Sequence, residues 1–193
     1  MYHASLFSGI GGFDLAADLV GWQNVFTCEK DKFCTQILKY YWPEPFTKHY
    51  SDVKKTDFSM YRGKINVLSG GFPCQPFSIS GKQKGTNDHR YLWPEMLRSI
   101  QQVRPDWIVC ENVSNLANMV FKPKISSVET KMLIEGIEVY ETFSSEGIAQ
   151  RICEDIEKEG YTVETFWVPA VGINAPHKRE RIFFIANANG LRF

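Results

Sequence analysis

The sequence predicts an α/β protein with a mostly parallel sheet and helices on both of its faces. Three observations carry this expectation. Strand-like and helix-like segments alternate along the chain. The first apolar run passes into a glycine-rich turn, Ser8-Gly9-Ile10-Gly11-Gly12, which opens a helical pattern. A later apolar run passes into a second turn, Gly70-Gly71-Phe72-Pro73-Cys74.

The elements follow in order. Ser5 to Phe7 is the first strand. Leu15, Ala16, Leu19 and Val20 then share one helical face, and Gly21 stops that helix. Val25 to Cys28 is a second strand. Phe33, Ile37, Leu38 and Tyr41 fit a second helix that ends before Pro43. Thr47 to Tyr50 is a third strand, and Ile65 to Ser69 a buried fourth. Ser78 to Asn87 is rich in Ser, Gly, Lys and Gln and reads as a loop. Leu92, Met96, Ile100 and Val103 recur at helical spacing, and Trp107 to Cys110 is a fifth strand closed by Glu111-Asn112. Ile148, Ile152 and Ile156 mark a helix ended by Gly160, and Tyr161 to Val168 and Arg181 to Ala186 are the last strands. Residues 121–143 mix Lys and Glu with scattered Ile and Val and read as an insertion in a single domain, 1–193.

A chain of 193 residues can bury a real core. Its 44% hydrophobic and 23% charged residues exclude disordered and collagen-like classes. No apolar run is long enough to cross a bilayer, so no membrane partner is expected. The first residues lack the basic start and apolar stretch of a signal peptide. The expected location is therefore cytoplasmic in a bacterial or phage-type host, or nuclear in a eukaryote. Lys plus Arg and Asp plus Glu are 22 each, so any grip on nucleic acid is local or supplied by another domain. The five cysteines include no C-x-x-C pair, which argues against a disulfide framework and a metal site. Cys28, Cys34, Cys110 and Cys153 sit in apolar contexts and read as small core residues.

The first turn points to a cofactor. Its glycines allow a tight turn and close approach of a ligand, and Glu29 ends the second strand, where an acid can hold ribose hydroxyls. A dinucleotide fingerprint needs a third glycine where Asp14 stands. Asp14 is poor for a pyrophosphate, so a phosphate-free adenosine cofactor such as S-adenosyl-L-methionine (SAM) fits better. Cys74 sits past the end of the fourth strand, between Pro73 and Pro76, on the edge where open α/β sheets react their ligands. It is the candidate nucleophile.

These residues resemble the cytosine-5 DNA methyltransferases. Ser5-Leu6-Phe7-Ser8-Gly9-Ile10-Gly11-Gly12-Phe13 resembles their cofactor motif, and Gly71-Phe72-Pro73-Cys74-Gln75-Pro76-Phe77-Ser78 their nucleophile motif. Glu111-Asn112-Val113 matches their Glu-Asn-Val motif, and Pro176 to Arg181 resembles Gln-x-Arg-x-Arg. Ser5 stands where the family usually has Asp, and His177 where Gln is usual. The matched motifs cover the catalytic half of the family pattern, and the family's target-recognition domain and the final helix that completes the cofactor pocket are expected to lie outside these residues.

The resemblance implies a Rossmann-like SAM-dependent methyltransferase fold with an antiparallel strand near the C-terminus. It implies methylation of C5 of cytosine in duplex DNA through a covalent Cys–C6 adduct, after the base leaves the stack. SAM is the implied donor and S-adenosyl-L-homocysteine (SAH) the product. Cys74, Glu111, Arg179 and Arg181 become the implied catalytic group. Both arginines are expected to point the same way along one strand. Phe7, Gly9, Ile10, Gly12, Glu29, Lys30, Asp52, Val53, Pro73 and Leu92 become the implied cofactor contacts. Gln75, Ser78, Ser80, Lys82 and Gln83 belong to a lid over DNA. The relatives' role in restriction-modification comes with the same resemblance. Alternative readings are a catalytic subunit of a split enzyme completed by a second chain, an inactive regulatory module, and an RNA cytosine-5 methyltransferase.

Overall fold

The computed structural model describes residues 1–73, 91–114, 116 and 147–188. In chain order the elements are β1 (Tyr2–Leu6), α1 (Gly12–Leu19), β2 (Gln23–Cys28), α2 (Lys32–Tyr41), β3 (Lys48–Tyr50) and β4 (Val67–Gly70). They continue with α3 (Trp93–Val103), β5 (Trp107–Val113), α4 (Ile148–Lys158), β6 (Tyr161–Pro169) and β7 (Glu180–Ala188). Single 3-10 turns lie at Val53–Lys55, Ser59–Tyr61 and Ala170–Ile173. The proposed insertion, 121–143, and the loop from Ser78 to Asn87 lie outside the described residues.

One seven-stranded sheet runs β3-β2-β1-β4-β5-β7-β6. β1 to β5 pair in parallel, and β7 is antiparallel to both β5 and β6. The predicted mixed sheet and its late antiparallel strand are therefore present. Chain order moves outward from β1 to β3, then restarts on the other side of β1 at β4. That reversal opens a crevice at the carboxyl ends of β1 and β4, where such sheets bind ligands.

The central strands read as nearly continuous apolar runs because both of their faces are covered. Ala4, Leu6, Phe26, Leu68, Ile108 and Cys110 are all buried. Met96, Ile100 and Val103 bury the inner face of α3, as Ile148, Ile152 and Ile156 do for α4. Each such side chain contributes about 1.5–3 kcal/mol, enough to fix the rotation of a three-turn helix. Both helices match their predicted faces.

The first two helices differ from prediction. α1 turns Asp14 and Ala17 inward, while Leu15, Leu19 and Val20 are 55%, 80% and 61% exposed and Ala16 is also exposed. The small Ala17 lets the helix lie close to the sheet, and Asp14 is drawn in by polar partners described below. In α2 only Leu38 is buried; Phe33 and Tyr41 are exposed. Asp31 caps this helix by accepting from the Cys34 amide at 2.9 Å. Cys28 and Cys110 are buried as expected, whereas Cys34 and Cys153 are only half-buried.

Candidate active site

The glycine turn leaves β1 through backbone that few side chains accept. Phe7, Gly9 and Gly11 have φ of 53°, 54° and 89°. A Cβ on Gly11 would collide with the Trp42 ring and lie 3.1 Å from Leu38, so the turn is braced against the end of α2. A Cβ on Gly9 or Gly12 would meet nothing within 4 Å, so this side of the turn faces open space. Gly11→Ala is expected to destabilise the fold by ~2 kcal/mol, through a left-handed backbone and overpacking. Gly12→Ala should leave the urea midpoint unchanged, and equilibrium unfolding of both variants checks this.

Beneath the turn lies a buried polar network. Ser5 Oγ donates to the Asp14 carboxylate, 2.9 and 3.0 Å from its two oxygens, and is 2.6 Å from Ser8 Oγ. An acid from α1 thus lies against Ser5, the position where the resembled motif usually carries Asp. His3 Nδ1 lies 2.6 Å from Asn24 Oδ1, an oxygen that only accepts, so Nδ1 carries the proton. Ser69 Oγ then donates to His3 Nε2 at 2.8 Å. Burial, more than any other cause, lowers the His3 pKa, so the 3.9 Å approach of His3 to Asp14 is not an ion pair at neutral pH. Burial also pushes the Asp14 carboxyl up to about 6, and neighbouring Asp18 adds to this.

The acid at the end of β2 is pre-set. Glu29 accepts from the Gly9 amide at 2.8 Å and from the Asp31 amide at 2.7 Å. Two donors fix the carboxylate against the turn and leave it lone pairs for ribose hydroxyls. Glu29 N donates to Tyr50 O at 2.9 Å, which carries the crevice on to β3. Asp52 follows directly and caps the next turn, accepting from Lys54 N at 3.0 Å. Asp57 is exposed and is used locally by Ser59. Val53 is buried, Leu92, Asp52 and Phe7 are half-buried, and Ile10, Gly12, Lys30 and Pro73 are exposed. An open-sided glycine turn beside a carboxylate held by amides suits a nucleoside that carries no phosphates.

The second half of the site forms where β4, β5 and β7 meet. Arg181 lies across from Val113 and Phe183 across from Glu111, which makes Arg181 and Glu111 diagonal neighbours on one face. Arg181 Nε is 2.6 Å from Glu111 Oε1, with both side chains about one quarter exposed. A Cβ on Gly71 would come within 3.3 Å of Glu111 Oε2, so the carboxylate touches the backbone that leads toward Cys74. Asn112, on the opposite face, is buried and donates from Nδ2 to Phe72 O at 2.9 Å. Consecutive residues of β5 therefore grip consecutive residues of that loop's root. The Glu-Asn-Val motif contained Asn112, but no sequence signal showed its contact.

Arg179 departs from the expectation. It lies before β7, exposed and with φ 28°, so it does not alternate with Arg181 along a strand. Its carbonyl and that of Lys178 accept from Ala170 N, which folds the turn back on itself. Cys74, Gln75, Ser78, Ser80, Lys82 and Gln83 fall outside the described residues. Burial raises the pKa of every described thiol, with Cys28 pushed up to about 12. None of those four is a ready thiolate at neutral pH. No His, Cys, Asp and Glu cluster among the described residues could hold a metal ion.

The model of C-5 cytosine-specific DNA methylases matches residues 1–193. The chain belongs to this family. It is 34% identical over 181 residues to the type II methyltransferase M.PspPI of Psychrobacter, covering 93% of this chain and 38% of that protein. It is 27% identical to M.HhaI of Haemophilus parahaemolyticus, over 96% of this chain and 49% of that one. The chain thus spans between about two fifths and one half of these curated relatives. Spodoptera frugiperda DNMT2 shares the fold, with a TM-score of 0.70 at 19% identity over all of this chain and 51% of its own. Among the described residues no helix is long and apolar enough to cross a membrane.

Proposed function

We propose that the chain is the catalytic portion of a SAM-dependent enzyme that methylates C5 of cytosine in duplex DNA. The Glu111–Arg181 pair, set against the root of the Cys74 loop, carries the reading. Cytosine C5 is a weak nucleophile. The Cys74 thiolate forms a bond to C6, and the displaced π pair makes C5 electron-rich. Glu111 holds the N3 and amino edge of the ring and stabilises its protonated form, while Arg181 keeps Glu111 aimed. Asn112 holds the Phe72 carbonyl and thus the approach of the loop.

SAM supplies an electrophilic methyl group when bound, and its sulfur leaves as the thioether of SAH. Glu29 would hold the ribose and Asp52 the adenine amino group, with Gly9, Gly12, Phe7 and Ile10 along the turn. Lys30, Val53, Pro73 and Leu92 would line the remainder. After transfer a base removes the C5 proton, the pair re-forms C5=C6, and Cys74 departs. Cys74 and Glu111 act on the reacting base, Arg181 positions Glu111, and Arg179 serves phosphate contact together with the loop residues Gln75, Ser78, Ser80, Lys82 and Gln83.

The outward apolar face of α1, Leu15, Leu19 and Val20, suits cover by further polypeptide. We therefore read efficient turnover as needing a complementary portion, in the same chain or in a second subunit. The cytoplasm of a bacterial host, alongside restriction-modification, fits the relatives.

Transfer of labelled methyl groups from SAM to mixed-sequence duplex DNA and to transfer RNA tests this. Label recovered as 5-methylcytosine in DNA supports the proposal. SAM binding with slow transfer, raised by a complementary polypeptide, supports the divided form. Label in RNA alone replaces the substrate, and neither binding nor transfer even with the complementary polypeptide present overturns the reading.

A further inference from the structure

The short turn that carries Asp52 has few bonds of its own and is tied to a neighbouring helix. Val53–Lys55 is one 3-10 turn, and it is closed by Lys55 N donating to Asp52 O at 3.1 Å. The neighbouring helix is α3. Arg98 Nη2 donates to Val53 O at 2.5 Å, and Nη1 to Thr56 O at 3.1 Å, so one planar guanidinium ties both ends of the turn. The fork is itself fixed: Nε donates to Glu95 Oε2 at 2.9 Å, and Nη1 also reaches Gln102 Oε1 at 2.9 Å. Gln102 in turn accepts from Phe58 N at 3.0 Å, which secures the chain beyond the turn. Inside the turn, Thr56 Oγ1 donates to Asp52 O at 2.8 Å.

We infer that Arg98 is a positioning residue of the cofactor site: it fixes the Asp52–Thr56 turn and so sets the site's preference for a purine bearing a 6-amino group. The inference rests on the reading of Asp52 as the adenine contact. A lysine cannot replace the fork, because its compact ammonium lacks the planar spread that reaches Val53 O, Thr56 O, Glu95 and Gln102 together. Arg98 touches no cofactor atom in this account and acts through Asp52.

Calorimetric binding of SAH and of its inosine counterpart, which lacks the 6-amino group, tests this in the full chain. The parent protein is expected to favour SAH by about tenfold, equal to about 1.4 kcal/mol. Arg98→Lys and Arg98→Met are expected to bring this ratio close to one. Asp52→Ala should do the same, and adding Arg98→Met to it should change the ratio no further. Thermal melts confirm that each variant is folded, and Arg98→Lys carries the test if Arg98→Met does not fold. A loss of affinity that is equal for both ligands, with the ratio kept, overturns the inference and leaves Arg98 as a structural tie. An unchanged ratio in Asp52→Ala overturns instead the reading of Asp52. A parent protein that binds neither ligand overturns both.

Discussion

Cys74→Ala is expected to reduce methyl transfer to the floor of the assay, a loss of ~10⁴-fold or more, since the step then lacks its nucleophile. Glu111→Gln should cost ~10²–10⁴-fold, the range for a positioned acid–base group. The Glu111 effect has a structural reason. Its carboxylate is 2.6 Å from Arg181 Nε and rests against Gly71. A glutamine keeps the shape but loses the charge that stabilises a protonated ring, and it leaves Arg181 without its counter-ion. Cofactor affinity should survive both changes, because Glu29 and Asp52 lie on the far side of the sheet's reversal. The check is single-turnover transfer together with SAM binding for each variant. Loss of binding in step with loss of transfer would contradict the assignment of Glu111 to the base.

The second large effect concerns stability. Asp14 is fully buried, and its carboxyl is raised from 3.8 to about 6. The native state therefore holds the proton more tightly than the unfolded chain, and stability falls as pH rises from about 4 to 6. Above that window the full penalty is present, about 3 kcal/mol. Asp14→Asn should remove it while keeping an acceptor for Ser5. The variant is expected to be more stable than the parent by ~1–3 kcal/mol at pH 7.5, by about half of that at pH 5, and not at all near pH 3.5. His3 faces Asn24 and Ser69 beside Asp14, and its lowered pKa weakens both proteins as the solution becomes acidic. The difference between parent and variant therefore isolates Asp14. Urea midpoints across this range check it, and an advantage independent of pH would contradict the burial account.

Where apolar spacing and core coincide, the sequence was legible. Met96, Ile100 and Val103, and then Ile148, Ile152 and Ile156, were read onto the correct faces. Glu29 lies where spacing puts it, just past the second strand, while its bonds to the Gly9 and Asp31 amides come only from the structure. α1 was read inside out for an equally physical reason. Spacing rules assume that the apolar stripe faces the core, whereas here Asp14 faces inward, held by Ser5 and the polar cluster around it. The loop contacts of Arg98 and Asn112 are hidden from sequence for a different reason. Their partners are backbone carbonyls, which every residue has, so nothing in the letters marks them. Arg179 lies off the strand because β7 begins at Glu180, one residue after it.

The antiparallel ladder between β5 and β7 has a further meaning. Seven paired positions lock Trp107 through Val113 against Asn187 through Arg181. Neighbouring strand residues face opposite ways, so the ladder works as a ruler that says which β5 side chain lies beside Gly71 and Arg181. A slip of one residue would bury a carboxylate and bring an amide to the reactive edge. Single insertions or deletions inside β5 should therefore be purged far more severely than changes of length in the connections beyond it. The chemistry of this protein is written in the count of residues along that strand as much as in their identities.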